Sequence, residues 1–153
     1  MLGLLYHHAT LLVLVLIVTF SAHIFTNAIL KNMKKMKIYI SGKIGEEVIS
    51  DATRQKFAKA EEMLKANGFE VFNPCDENWQ AHLNVRYMED SKIYQPYIDG
   101  GIMPDFYSYV LLRDLMSIST KDGVYMLKDW RQSPGATAEY EFAVATGKII
   151  MFE

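Results

Sequence analysis

The sequence predicts a three-layer α/β domain on a parallel sheet of four to five strands, preceded by a hydrophobic N-terminal helix. Three observations predict it. Short β-branched, apolar runs recur through residues 36–153, each bounded by glycine, proline or asparagine. Between them lie segments with helical periodicity, long enough to cross over a sheet and return the chain in the same direction. Finally, none of the 16 Lys and Arg or the 18 Asp and Glu falls in the first 30 residues, which sets an apolar leader apart from the domain.

The leader comes first. Leu11 to Phe20 reads LLVLVLIVTF, and the uncharged stretch from Ala9 to Leu30 is long enough to span a bilayer at about 1.5 Å per residue. Lys31, Lys34, Lys35 and Lys37 follow it, so an anchor at residues 9–30 would tether a cytoplasmic domain to the inner membrane. A cleaved signal peptide fits poorly, because no basic residue precedes the apolar run. The alternative is an over-extended gene start, since Met33 and Met36 both stand just before the first strand. The expected division is residues 1–35 as leader and 36–153 as domain. A membrane is a partner only if the leader is genuine.

Within the domain, Lys37 to Ser41 is a short apolar-rich strand that stops at Gly42. Glu46 to Asn67 carries helical spacing through Val48, Ala52, Phe57, Ala60, Met63 and Leu64, with Gly68 as its C-cap. Phe69 to Phe72 is the second strand, stopped by Asn73-Pro74. Residues 75–104 hold no sustained period and are expected to be an irregular insertion, the kind of segment that often forms a functional loop. Asp105 to Thr120 reads as a helix, Gly123 to Leu127 as a third strand, Pro134 to Thr146 as a helix and Lys148 to Phe152 as a fourth strand.

Charge and cysteine usage narrow the function. A net charge of −2 argues against a nucleic-acid polymer as partner, because a backbone binder needs a basic patch. The single cysteine, Cys75, excludes an internal disulfide framework and a multi-cysteine metal site. His7, His8 and His23 have no metal-ligand spacing, and no metal or other cofactor is expected. What remains is a small molecule.

Ligands of open α/β sheets bind beyond the carboxyl ends of the strands. The residues there are Tyr39, Ser41, Gly42 and Lys43 after the first strand, and Asn73 and Pro74 after the second. Asp129, Trp130 and Ser133-Pro134-Gly135-Ala136-Thr137-Ala138-Glu139 follow the third. Ser133-Pro134 fits an N-cap with proline in the first helical turn. A capping box would place Glu or Gln where Ala136 stands, so capping does not explain Glu139. Its neighbours three and four residues away are Gly135, Ala136, Phe142 and Ala143, none of them a cation. A carboxylate on an Ala-rich helix at the ligand edge is costly unless it is used. Glu141 is the weaker rival.

Asp114 is the candidate second carboxylate, since glycosidic cleavage commonly uses two; its plain reading is an exposed residue or a partner of Arg113 or Arg131. Ser41 to Gly45 has too few glycines for a Walker or Rossmann loop, yet it can offer backbone N–H groups and Lys43 to a phosphate. Asp122 reads as a turn residue, Cys75 as a semi-buried thiol and His82 as a packing or surface histidine. Trp79 and Tyr87 either stack on a base or pack the insertion down.

Tyr39-Ile-Ser-Gly-Lys-Ile, Val71-Phe-Asn-Pro, Arg113-Asp-Leu, Asp122-Gly-Val-Tyr-Met-Leu, Trp130 and Ser133-Pro-Gly-Ala-Thr-Ala-Glu139 together resemble the phage and bacterial DUF4406 group. That group looks like a branch of the nucleoside 2-deoxyribosyltransferase superfamily, which includes deoxynucleoside monophosphate N-glycosidases. The resemblance spans about Met36 to Glu153 and implies a flavodoxin-like sheet. It implies Glu139 as the nucleophile toward the anomeric carbon, Asp114 as the acid near sugar and base, and Tyr39 as the residue orienting the nucleophile. Ser133 stands where transferases of the superfamily have Asp and the monophosphate glycosidases have Ser, which favours a nucleotide over a free nucleoside. Ser41, Gly42, Lys43, Asn73, Trp130, Ser133 and Gly135 are the implied substrate contacts, and a homo-oligomer is implied as well. The stretch from Cys75 to Pro104 does not follow the characterised enzymes, so no base specificity carries over.

The expected function is therefore processing of a nucleoside or nucleotide N-glycosidic bond, by hydrolysis or 2-deoxyribosyl transfer, through a covalent glycosyl-glutamate. The rival is a non-catalytic nucleotide or nucleotide-sugar sensor with the same pocket. A genuine leader would favour a third reading, a membrane-tethered interaction protein.

Overall fold

Ile38, Tyr39, Ile40 and Ser41 are all inaccessible to solvent, and a strand buried on both faces belongs in the middle of a sheet. The computed structural model describes residues 35–46, 48–94 and 104–153, and there this run is β1, Lys37–Ser41. The chain continues through α1 (Asp51–Ala66), β2 (Glu70–Phe72), α2 (Glu77–Tyr94) and α3 (Phe106–Ser119). It ends with β3 (Gly123–Met126), a 3-10 turn over Trp130–Gln132, α4 (Pro134–Ala145) and β4 (Ile149–Phe152). The sheet order is β2-β1-β3-β4 and every pairing is parallel. This α/β fold has the order of the first four flavodoxin-like strands, with the switch point between β1 and β3. The leader, its three histidines and the anchor expected at residues 9–30 lie outside the described residues. Among the described residues no helix is long and apolar enough to cross a membrane.

Strand alternation sorts the two faces. Ile38 and Ile40 point to the side of α1, where Phe57, Ala60 and Leu64 meet them together with Tyr125 and Leu127. Tyr39, Val124 and Met126 point the other way, against Ala136 and Ala143 of α4 and Ile118 of α3. The small alanines let α4 lie close on the sheet.

The helix boundaries follow from capping. α1 begins at Asp51 rather than at Glu46, because Ser50 accepts the Thr53 N–H and takes the cap. Glu46 stays outside the helix, its carboxylate accepting from the Ser50 N–H and the Thr53 hydroxyl. Gly68 follows α1 with φ of +88°, a conformation that glycine adopts without strain. In α3, Asp105 caps by accepting from the Ser108 N–H.

The largest departure from the sequence reading is α2. Residues 77–94, expected to be irregular, form a helix that Asp76 caps through the Trp79 N–H. Glu, Gln, Ala, Leu, Arg and Met are good helix formers there. Periodicity missed it because, among the helix's described side chains, only Leu83 is deeply buried while Val85 and Met88 stay exposed, which leaves them no apolar stripe.

Candidate active site

The switch point brings together four elements: the end of β1, the loop after it, the middle of α3 and the first turns of α4. At the end of β1, Tyr39 and Ser41 share the α4 face because they are two residues apart. Gly42 then lets the chain turn away against Leu127, since a Cβ at this position would come within 2.7 Å of Leu127 Cδ1. The loop is clamped from outside the cleft. Asp129 accepts the Lys43 N–H at 3.1 Å and the Lys56 ammonium at 2.5 Å, while Lys56 also donates to the Lys43 carbonyl at 2.8 Å. Burial pushes the Asp129 carboxyl up, but the Lys56 ammonium and the Lys43 N–H outweigh it and hold the group below its ordinary value.

On α4, Ser133 caps the helix by accepting the Ala136 N–H, with Pro134 in the first turn. Glu139 therefore sits in the second turn, on the buried side, and is 6% exposed. Among the described residues its carboxylate has no cation partner. Instead the Tyr39 hydroxyl donates to Oε1 at 2.8 Å and the Ser41 hydroxyl donates to Oε2 at 2.5 Å. Asp114 on α3 is equally buried, and among the described residues it forms no ion pair. Arg113 lies over the Tyr109 ring and Arg131 over the Trp130 ring. This removes the plain reading of Asp114.

Burial is the main cause that raises the pKa of both carboxyls; for Glu139 the nearby Asp114 raises it further, and the two hydroxyls act in the opposite sense. For Asp114 the opposing groups are the Tyr39 hydroxyl and the Trp79 indole N–H. Tyr39 itself is raised well above its ordinary value by burial and then by both carboxylates, so its hydroxyl remains a donor. Two raised carboxyls in one site hold a proton between them at neutral pH. Glu139 receives two closed hydrogen bonds, which favour its anion, while Asp114 Oδ1 receives none.

Glu139 and Asp114 open onto one cleft of about 670 Å³, within the range of small-molecule sites. Its polar lining comes from Gly42, Lys43, Ser133 and Gly135, and an apolar wall comes from Ile44 and Ile49 of the loop and from Phe106, Tyr107, Val110 and Leu111 of α3. Sequence reasoning missed this apolar wall, as well as Gln80 and Gln132. The signal that could have found it is the helical spacing of residues 106, 110 and 114, which puts Phe106 and Val110 on the same helix face as Asp114.

Three expected contacts do not line the cleft. Ser41 is fully buried, and its hydroxyl is bonded to Glu139. Asn73 does not line the cleft: its amide donates to Glu61 and its carbonyl accepts the Cys75 N–H, which holds the turn after β2. Trp130 is also absent from the lining. It is buried against Tyr140 and Phe152, on the far side of the 3-10 turn. Cys75 is buried and its thiol is pushed up to about 12, mainly by burial, so it supplies no thiolate. Tyr87 packs edge-on against Phe106 and Tyr109, tying α2 to α3. Asp122 is the turn residue expected, its carboxylate accepting the Lys37 N–H. Among the described residues no cluster of His, Cys, Asp and Glu is arranged to hold a metal ion.

The family model for DUF4406, a domain of unknown function, matches residues 36–152, and the chain belongs to that family. No curated protein matches it.

Proposed function

We propose that the domain breaks the N-glycosidic bond of a deoxynucleoside or its monophosphate through a covalent glycosyl-Glu139 intermediate. The observation that carries this reading is a buried, cation-free carboxylate held by two hydroxyl donors, with a second carboxyl beside it in the same cleft. A merely structural glutamate would be neutralised by a cation or left in water.

In this reading the shared proton rests on Asp114 and the charge on Glu139, whose two hydroxyl donors favour the anion. Glu139 is the anion and attacks C1′ of the sugar; the C1′–N bond breaks and its electron pair leaves with the base. Asp114 delivers its proton to that base, so the base departs neutral. Tyr39 and Ser41 orient the attacking carboxylate through one hydrogen bond to each oxygen. In the second step Asp114, now a carboxylate, takes a proton from water, and the hydroxide oxygen displaces Glu139 from C1′. A second base in place of water gives transfer instead of hydrolysis. The polar lining of the cleft suits a 5′-phosphate, because Lys43 and the N-terminus of α4 supply positive groups to it. The apolar wall suits the flat face of a base.

The test is incubation of the protein with a panel of deoxynucleosides and their monophosphates, with free base followed by chromatography. Wild type is expected to release base, and Glu139→Ala to release at least about 1000-fold less. Tight binding without release in wild type would instead make the domain a nucleotide sensor.

A further inference from the structure

Among the described residues just two buried polar side-chain atoms have no hydrogen-bond partner, and they are one donor and one acceptor: Trp79 Nε1 and Asp114 Oδ1. Buried orphans are rare in folded proteins and each carries a desolvation cost, so a complementary pair of them calls for an explanation. The two belong to one neighbourhood. The Tyr39 ring stacks on Phe72 at 5.4 Å, and Phe72 meets the Trp79 ring edge-on at 5.0 Å. This aromatic row runs from the Glu139 donor to the indole, and at Asp114 the indole N–H opposes the rise that burial causes. Trp79 follows Asp76 by three residues, so the cap of α2 fixes where the ring enters.

We propose that the Trp79 indole N–H is a positioning donor for Asp114, closing onto its carboxylate when Asp114 gives its proton to the leaving base. The inference rests on the proposed glycosidic chemistry for its role, though not for the contact itself. An indole N–H suits the task because it donates and cannot accept. It has no competing claim on the proton that Asp114 carries. While Asp114 is protonated and uncharged, the pair stays open. Once the carboxylate forms beside Glu139, a buried negative charge needs a donor, and the indole is the one without another partner. The other groups facing Asp114 are already committed or unsuited. The Tyr39 hydroxyl is bonded to Glu139, Glu139 becomes the glycosyl ester in that step and has no proton to offer, and Cys75 is a buried neutral thiol. A donor aimed where charge develops lowers the barrier more than it aids ground-state binding.

The experiment follows the indole N–H of Trp79 in full-length protein by proton–nitrogen NMR between pH 5 and 9. The resonance is identified by its loss in W79F. It is expected to move with pH through one titration that is absent in D114N. An indole signal that stays fixed, or that titrates unchanged in D114N, overturns the proposal. Kinetics add a second readout that simple packing would not move. W79F, which keeps a ring against Phe72, is expected to lose about 10- to 100-fold in kcat with KM changed less than about threefold. The limb of its pH–rate profile assigned to Asp114 is expected to move upward. A loss confined to KM, or a profile that does not shift, goes against it. If the indole titrates with Asp114 but no deoxynucleotide releases base, the contact stands and the glycosidic reading falls. If base is released and the indole does not respond, the reverse holds.

Discussion

The two faces of β1 are built from the same five residues and do opposite things. Toward α1 the strand presents Ile38 and Ile40, packed in a cluster of aliphatic, aromatic and sulfur-containing side chains. Toward α4 it presents Tyr39 and Ser41, whose hydroxyls meet Glu139 at the border of a second apolar cluster. One face gains stability from every buried methylene; the other gives some of it up by burying two carboxyls without a cation. Stability and chemistry are thus separated by a single peptide unit, which lets the cleft tolerate a costly arrangement because the opposite face compensates for it. Natural sites often carry such a cost.

The sharpest way to break this division is on the α1 face. Phe57 is completely buried in that cluster and contributes to no cleft. Phe57→Ala is expected to cost about 3–5 kcal/mol of stability, read from denaturant unfolding, while folded molecules keep their base-releasing rate. A loss of activity at full folding would mean that the faces are coupled.

Glu139→Gln probes the other face, and its effect on stability is opposite in sign. Glu139 has a folded-state pKa above its ordinary value of 4.5, chiefly from burial and then from Asp114. The folded state therefore binds more protons than the unfolded one above that value. Wild-type stability is complete below about pH 4.5 and declines as pH rises through the folded-state pKa. The glutamine has no charge to bury, and it also relieves Asp114 of a neighbouring anion. The variant is expected to match wild type near pH 4.5 and to melt about 5 °C higher at pH 8, measured by scanning calorimetry. Equal melting points at pH 8 would show that burying this carboxylate costs the fold nothing.

The same contrast explains what could be read from the sequence. β1, β3 and α4 are legible because burial imposes a local pattern: a β-branched run, a Ser-Pro cap, an Ala-rich face. Glu139 stood out for what its helix lacked, namely a cation three or four residues away. α2 was not legible, since a helix whose described side chains bury little more than Leu83 has no stripe there to display. Asn73 and Trp130 stand at strand ends, where ligands bind as a rule, yet their side chains serve the turn after β2 and the core beneath the 3-10 turn. Position along the chain gives the edge of the sheet and leaves the side chain's direction open. The bond between Tyr39 and Glu139 joins residues 100 apart, and no local pattern encodes it.

The smallest expected effect lies where the two faces meet. Lys56 projects from α1, next to Phe57, and its ion pair with Asp129 holds the loop that forms one side of the cleft. Both side chains are about 30% exposed, so the pair is worth no more than about 1 kcal/mol and is screened by salt. Asp129→Asn keeps an acceptor for the Lys43 N–H and removes the charge. Stability is expected to fall by less than about 1 kcal/mol, and kcat to stay unchanged, because Glu139, Asp114 and Tyr39 are untouched. KM should rise about threefold as Lys43 and the backbone after Gly42 lose their fixed position, and wild type in high salt should approach the variant. A fall in kcat instead would show that the loop sets the geometry of the carboxylates and not only the grip on substrate. The α1 face would then reach the chemistry through this one ion pair.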